Sequence, residues 1–147
     1  MEFERAEELR SSDPRNSEVL FPYLNGQDLN NRPDSSASRW VINFHDWSED
    51  KAVTYSAPYA QVHRLVKPER DNNNRKVYRD NWWQYAEKRP AMIRKLSDLR
   101  QAIVITRVSK SVMPVMVPTR QVFSEATVVF ASDDFSMLAL LSGATHY

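Results

Sequence analysis

The sequence has 147 residues, 41% hydrophobic and 11% aromatic, which suits one domain with a buried core and excludes a disordered chain. Net charge is only +1 and the pI is about 8.0, so there is neither a polybasic arm nor an acidic tail, and a nucleic-acid surface requires cations gathered on one face. Two glycines leave little material for phosphate-cradling loops, and the lack of cysteine excludes disulfides, thiolate metal sites and Cys nucleophiles.

No apolar stretch approaches the roughly 20 residues that a membrane-spanning helix needs. The opening MEFERAEELRSSD is charged and has no apolar core, unlike a signal peptide. No membrane partner is expected, and the expected location is cytoplasmic.

In chain order, residues 1–18 are polar and of mixed charge, with Phe3, Ala6 and Leu9 at helical spacing and Ser11-Ser12-Asp13-Pro14 as a breaker. The apolar run Val19–Phe21 is short. Asn25-Gly26 signals a turn, and Asp28 to Ser36 reads as loop. RWVINF (Arg39–Phe44) reads as a strand, and Ser48 is placed to cap a helix starting at Glu49. Tyr59, Val62, Leu65 and Val66 form a helical stripe that Pro68 interrupts. Asp71–Asn74 is a polar loop. Tyr78–Leu99 is predicted as helix, with Trp82, Trp83, Tyr85, Met92, Ile93, Leu96 and Leu99 apolar and Pro90 dividing it.

The character then changes. Ala102–Thr106 (AIVIT), Val115–Val117, Gln121–Phe123 and Thr127–Ala131 read as strands, and Phe135–Leu141 as a helix start. The fold class is therefore α+β: a single mixed domain, helices in the N-terminal half and a small, mostly antiparallel sheet in the C-terminal half. The ending SGATHY, directly after an apolar run, has the look of a cut inside a larger protein.

Several chemistries can be weighed on residue types alone. His45, His63 and His146 are in no HxxxH or HxH arrangement, so surface or hydrogen-bonded roles suit them better than metal binding. Asp34 with Glu49 and Lys51 matches the letters of a PD…ExK nuclease, in which two carboxylates hold Mg²⁺ and a Lys flanks the attacking water. That chemistry needs both carboxylates on adjacent strands, whereas Asp34 lies in a loop-like stretch and Glu49 at a helix start, where an acid suits the dipole anyway. No GxSxG elbow is present, nor a glycine-rich cofactor loop with an Asn/Asp-Pro-Pro-aromatic motif, so neither a serine nucleophile nor methyl transfer is expected of this chain.

The stretch AIVITRVSKS runs from an apolar strand into Arg107, Ser109, Lys110 and Ser111. Arg and Lys can donate to guanine O6 and N7 from such a base. Lys67, Arg70, Arg75, Lys76, Arg79, Lys88, Arg89 and Arg94 are further cations, some of them suited to phosphates, although on composition alone solvated helix faces and loops explain them better. Trp82, Trp83 and Tyr85 can stack on bases, but tryptophans at helical spacing are more often core.

Taken in order, PYLNGQDLNNRPDSSASRWVINFHDWSEDKA, VKPERDNN, NWWQYAEKRPAM and IVITRVSKS resemble the target-recognition domain of MmeI-like (Type IIG/IIL) restriction–modification enzymes, which include adenine-specific DNA methyltransferases. The resemblance covers residues 19–146. It implies a DNA target-recognition domain over 19–147, after an N-terminal polar segment or linker over 1–18. It further implies that the chain is a fragment of a larger enzyme with an adenine-N6 methyltransferase domain and, in some members, a nuclease.

On that resemblance the partners are double-stranded DNA and the methyltransferase domain of the same parent chain. No cofactor is expected in this chain, with S-adenosylmethionine and Mg²⁺ serving the parent. The candidate DNA-binding residues are Arg107, Ser109, Lys110, Ser111, Arg70, Lys67 and Arg75, with no catalytic residue and no metal ligand. Ser109 to Met116 corresponds to a stretch that varies with the sequence read. Its SVMPVM portion (Ser111 to Met116) departs from the resemblance in being less polar than a base-reading segment, which leaves apolar contact with thymine methyls as its route to bases. Two alternatives to DNA reading are the Mg²⁺ nuclease of Asp34, Glu49 and Lys51, and a fragment whose apolar C-terminal run docks on another domain.

Overall fold

The computed structural model describes residues 1–86, 89–107 and 113–142. Helix α1 (Phe3–Ser12) buries Ala6 and Leu9, and Asp13 ends it and caps the 3-10 turn Pro14–Glu18 by accepting from Arg15 N. Strand β1 (Leu20–Leu24) follows, then α2 (Gly26–Asn31), β2 (Arg39–Ile42), α3 (Glu49–Val53) and α4 (Ser56–Leu65). Ser48 caps α3 as its position suggests, its hydroxyl accepting from Lys51 N. Pro68 falls in the first turn of α5 (Lys67–Asp71), where its missing N–H costs nothing. Helix α6 (Lys76–Asp80) and α7 (Pro90–Leu96) precede β3 (Gln101–Thr106), β4 (Val115–Pro118), β5 (Val122–Phe123), β6 (Thr127–Phe130) and α8 (Phe135–Ser142). The α+β class expected from the sequence is the class observed.

These elements group into two compact units, one of Met1–Phe21 with Trp40–Lys88 and one of Pro22–Arg39 with Arg89–Tyr147. The first is mainly helical. Its core joins Val19, Phe44, Ala52, Tyr55, Val62 and Trp82, with Ile42, Trp47, Tyr59, Val66 and Trp83 packed around them. Full burial of a ring such as Phe44 contributes about 2–3 kcal/mol. Here the expected helix through Trp82, Trp83 and Tyr85 is corrected: α6 ends at Asp80, and residues 81–84 form turns. The indole N–H of Trp83 and the amide of Gln84 both donate to Trp47 O, at 2.8 and 3.1 Å. Packing of two adjacent tryptophans in one core, not helical periodicity, sets that backbone. The segment 1–18 supplies part of this unit's buried surface through α1.

The second unit is built on the antiparallel sheet β4-β3-β6, in which Ile103 faces Met116 on one side and Phe130 on the other. Central β3 buries Ala102, Ile103 and Val104 in succession, which explains why AIVIT is a continuous apolar run and not an alternating one. Ala102 and Val104 join Leu24, Leu96, Val117 and Phe123 in the core. The Tyr23–Leu24 end of β1 pairs in parallel with β5, through Tyr23↔Val122 and Leu24↔Phe123.

Candidate nucleic-acid interface

In the second unit, Arg107 follows β3 directly. Its backbone N donates to Ala126 O at 2.8 Å, which ties the end of the strand to the start of β6. Arg107 is exposed, and its guanidinium has no hydrogen-bond or ion-pair partner among the described residues. The backbone of Arg107 is fixed by this bond, while its long side chain is free to sample rotamers in solvent. Ser109, Lys110 and Ser111 lie outside the described residues.

Helix α2 lies beside this strand end and was not expected from the sequence, where Asp28–Ser36 read as loop. Asn25 and Asp28 form a reciprocal capping box: Asn25 Oδ1 accepts from Asp28 N at 2.9 Å, and Asp28 Oδ2 accepts from Asn25 N at 3.4 Å. The Asp28 carboxylate is buried and also accepts from Ser38 N at 3.2 Å, stapling the helix to the segment ahead of β2. A Cβ on Gly26 would stand 3.4 Å from Ala126 Cβ and 3.5 Å from Thr106 Cγ2, so the helix start is seated against the ends of β3 and β6. The Asn-x-x-Asp spacing was the available signal for this helix. Asn25-Gly26 pointed instead to a turn.

With Gly26 and Asp28 inside, Gln27, Asn30 and Asn31 are exposed at i, i+3 and i+4. Together with Asn25, Gly26 and Ala126 they line an open depression of about 400 Å³. Thr106 Oγ1 donates to Asn30 Oδ1 at 3.5 Å.

Lys67, Arg70 and Arg75 belong to the first unit, where the sequence of α5 and α6 brings them around two rings. Lys67 Nζ pairs with Asp71 at 2.9 Å and lies 5.6 Å from the Trp82 ring centroid. The guanidiniums of Arg70 and Arg75 each lie 5.5 Å from the Tyr78 ring. Arg70 Nη1 also donates to Gln84 O at 3.4 Å, and Arg75 Nη1 to Tyr78 Oη at 3.3 Å. The helices thus gather these cations, and each has a local partner within the unit.

The nuclease letters do not assemble as that chemistry needs. Asp34 lies in a turn, its carboxylate accepting from Ser36 N and Oγ, and these bonds hold its pKa below the usual carboxylate value. Glu49 is in the first turn of α3, not on a strand, and accepts from Tyr59 Oη at 2.7 Å. Lys51 Nζ lies 3.8 Å from the Trp47 ring centroid. Among the described residues no group of three or more His, Asp or Glu is placed to hold a metal ion. Likewise, among the described residues no helix is long and apolar enough to cross a membrane.

Burial marks other titratable groups near the aromatic core. His45, between the rings of Phe21 and Trp47 at 5.5 and 5.1 Å, has its pKa pushed below the ordinary imidazole value by desolvation. Burial and the bond to Glu49 push the Tyr59 phenol up to about 12.

No known family model matches the chain, and no curated protein matches it. Solved structures do contain its fold: an α+β arrangement covering 97% of the chain, at a TM-score of 0.72, recurs inside a restriction–modification enzyme solved in complex with DNA. That protein is the Type IIL enzyme MmeI, at 13% sequence identity, and this chain spans 18% of its length. The likeness is one of fold.

Proposed function

We propose that this chain is a sequence-specific double-stranded-DNA recognition module belonging to a restriction–modification protein. The observation that carries the reading is the fold shared, over nearly the whole chain, with part of a restriction–modification enzyme solved on DNA. The exposed Arg107 directly after β3, whose last residues pair with β6, supports it, since Arg is the commonest reader of guanine O6 and N7. Ser109, Lys110 and Ser111 continue that reading segment. Lys67, Arg70 and Arg75 supply phosphate contacts. The parent is an S-adenosylmethionine-dependent adenine methyltransferase, with or without a Mg²⁺-dependent endonuclease, whose methyltransferase domain this module positions in the cytoplasm.

The test is selection of the purified chain on a random-duplex library at low salt. A single enriched motif is the expected result. Arg107→Ala should then cost about 1–3 kcal/mol on that motif and relax one position, whereas loss of Lys67 or Arg75 should weaken all duplexes alike and reduce the salt slope by about 1. An Arg107→Ala variant that binds and selects like the parent sequence would refute the assignment.

A second reading has its own observation. Helix α8 exposes Phe135, Met137 and Leu140, and an apolar helix without buried residues suits docking on a further domain. The two readings concern different surfaces and are compatible.

A further inference from the structure

We infer that α2 is a second reading element, and that its exposed amides recognise adenine in the same duplex that Arg107 meets. The inference rests on the DNA-recognition reading above and adds a site and a base to it.

The argument begins with what the helix costs. Six residues are too few for a helix to persist by propensity. Asn is a poor helix former, by about 0.5–0.7 kcal/mol relative to Ala at an exposed position. Yet GQDLNN places amides at all three exposed positions of one face, where Lys, Glu or Ala would hold the helix better. What keeps α2 helical is a set of bonds on its other side: the capping box, the buried Asp28 carboxylate reaching Ser38 N, and the close seat of Gly26 on Ala126 and Thr106. A fixed inner face thus presents a polar, uncharged outer one.

The chemistry of that outer face is selective. A carboxamide offers a donor and an acceptor side by side, which matches adenine N6–H and N7 in the major groove, and Asn or Gln paired this way discriminates adenine from the other bases. Phosphates would call instead for cations. In Asn30 the oxygen already accepts from Thr106, while Gln27 and Asn31 sit at the outer positions of the face. The amides also lie near the chain position of Arg107: Ala126, which lines the depression with them, accepts the backbone N–H of Arg107. The amide face and the backbone of Arg107 thus meet at the same residue of the second unit, Ala126.

The experiment runs the wild-type chain and a Gln27→Ala/Asn31→Ala variant in parallel on the random-duplex library. Each is then tested on the enriched duplex with single adenines replaced by an analogue that carries C–H in place of N7. Both substituted side chains are exposed, and unchanged far-UV CD and melting of the variant verify the fold. Wild type should lose about 5- to 100-fold in affinity when one particular adenine is replaced. The variant should keep the remainder of the motif, accept other bases at that position, and be indifferent to the analogue there. A variant that selects the wild-type motif unchanged, or weakens equally on every duplex, overturns the inference and leaves the DNA-recognition reading intact. A wild-type chain that enriches no motif overturns both.

Discussion

Replacing Asp28 by Ala isolates the device that holds α2. The carboxylate is 4% exposed, and its Oδ2 accepts from Asn25 N at 3.4 Å and from Ser38 N at 3.2 Å. Truncation strands both N–H groups. A stranded buried donor costs about 1–3 kcal/mol, and because both donors are only partly buried and both bonds are longer than the usual 2.9–3.0 Å the lower end applies. The sum is about 2–3 kcal/mol. With a urea m-value of about 2 kcal/mol/M, the midpoint should fall by about 1–1.5 M. Asp28→Asn keeps one oxygen and the side-chain volume, so it should lose less than half as much. The transition is best followed by far-UV CD, because Trp40, Trp47, Trp82 and Trp83 all belong to the other unit and their fluorescence reports on that unit. A midpoint that moves by less than about 0.3 M in Asp28→Ala would refute the reasoning, since the box would then contribute no more than an exposed cap.

In the first unit, Phe44→Ala removes a fully buried ring and should cost about 3–5 kcal/mol, read as an earlier urea transition in tryptophan fluorescence; a loss below about 1 kcal/mol would contradict the core assigned to it. Tyr59 keeps its proton in the folded state up to about 12 whereas the unfolded phenol ionises near 10.0, so its contribution is complete below pH 10 and is lost as pH rises from there towards 12. Tyr59→Phe should flatten the alkaline arm of a stability–pH curve. His45 behaves oppositely: its folded pKa lies below 6.5, the unfolded chain takes up the proton first, and stability falls as pH drops below 6.5. His45→Asn, with a residue that tolerates the observed φ of 55°, should weaken that acid dependence in urea titrations across the range.

What the sequence disclosed follows the range of the interactions involved. The helix after Ser48, the helix carrying Tyr59, Val62 and Leu65, and the strand AIVIT arise from local caps and periodicity and stand where the spacing put them, although of the stripe Tyr59, Val62, Leu65 and Val66 the structure leaves Leu65 exposed. The turns at Trp82–Trp83 did not, because their geometry depends on Trp47 O, which is 36 residues away along the chain. Helix α2 was missed for a related reason. Its local signal was ambiguous between turn and cap, and Ser38, Ala126 and Thr106 decide the matter from outside it. At the candidate site the same division holds. Arg107 was legible because it ends an obvious strand. Gln27, Asn30 and Asn31 share a face only when Gly26–Asn31 is helical, and Asn25-Gly26 points to a turn instead.

The interleaving of the two units bears on any graft made from this chain. The chain passes from one unit to the other at residues 21–22, 39–40 and 88–89, so the unit that carries Arg107 is written in two separate stretches of sequence. A graft of residues 89–147 alone would deliver β3 and its arginine onto a foreign α2, with the recipient's side chains where the amides should be. A faithful transplant has two inserts, 22–39 and 89–147, and four seams if both ends of each must be joined within foreign sequence.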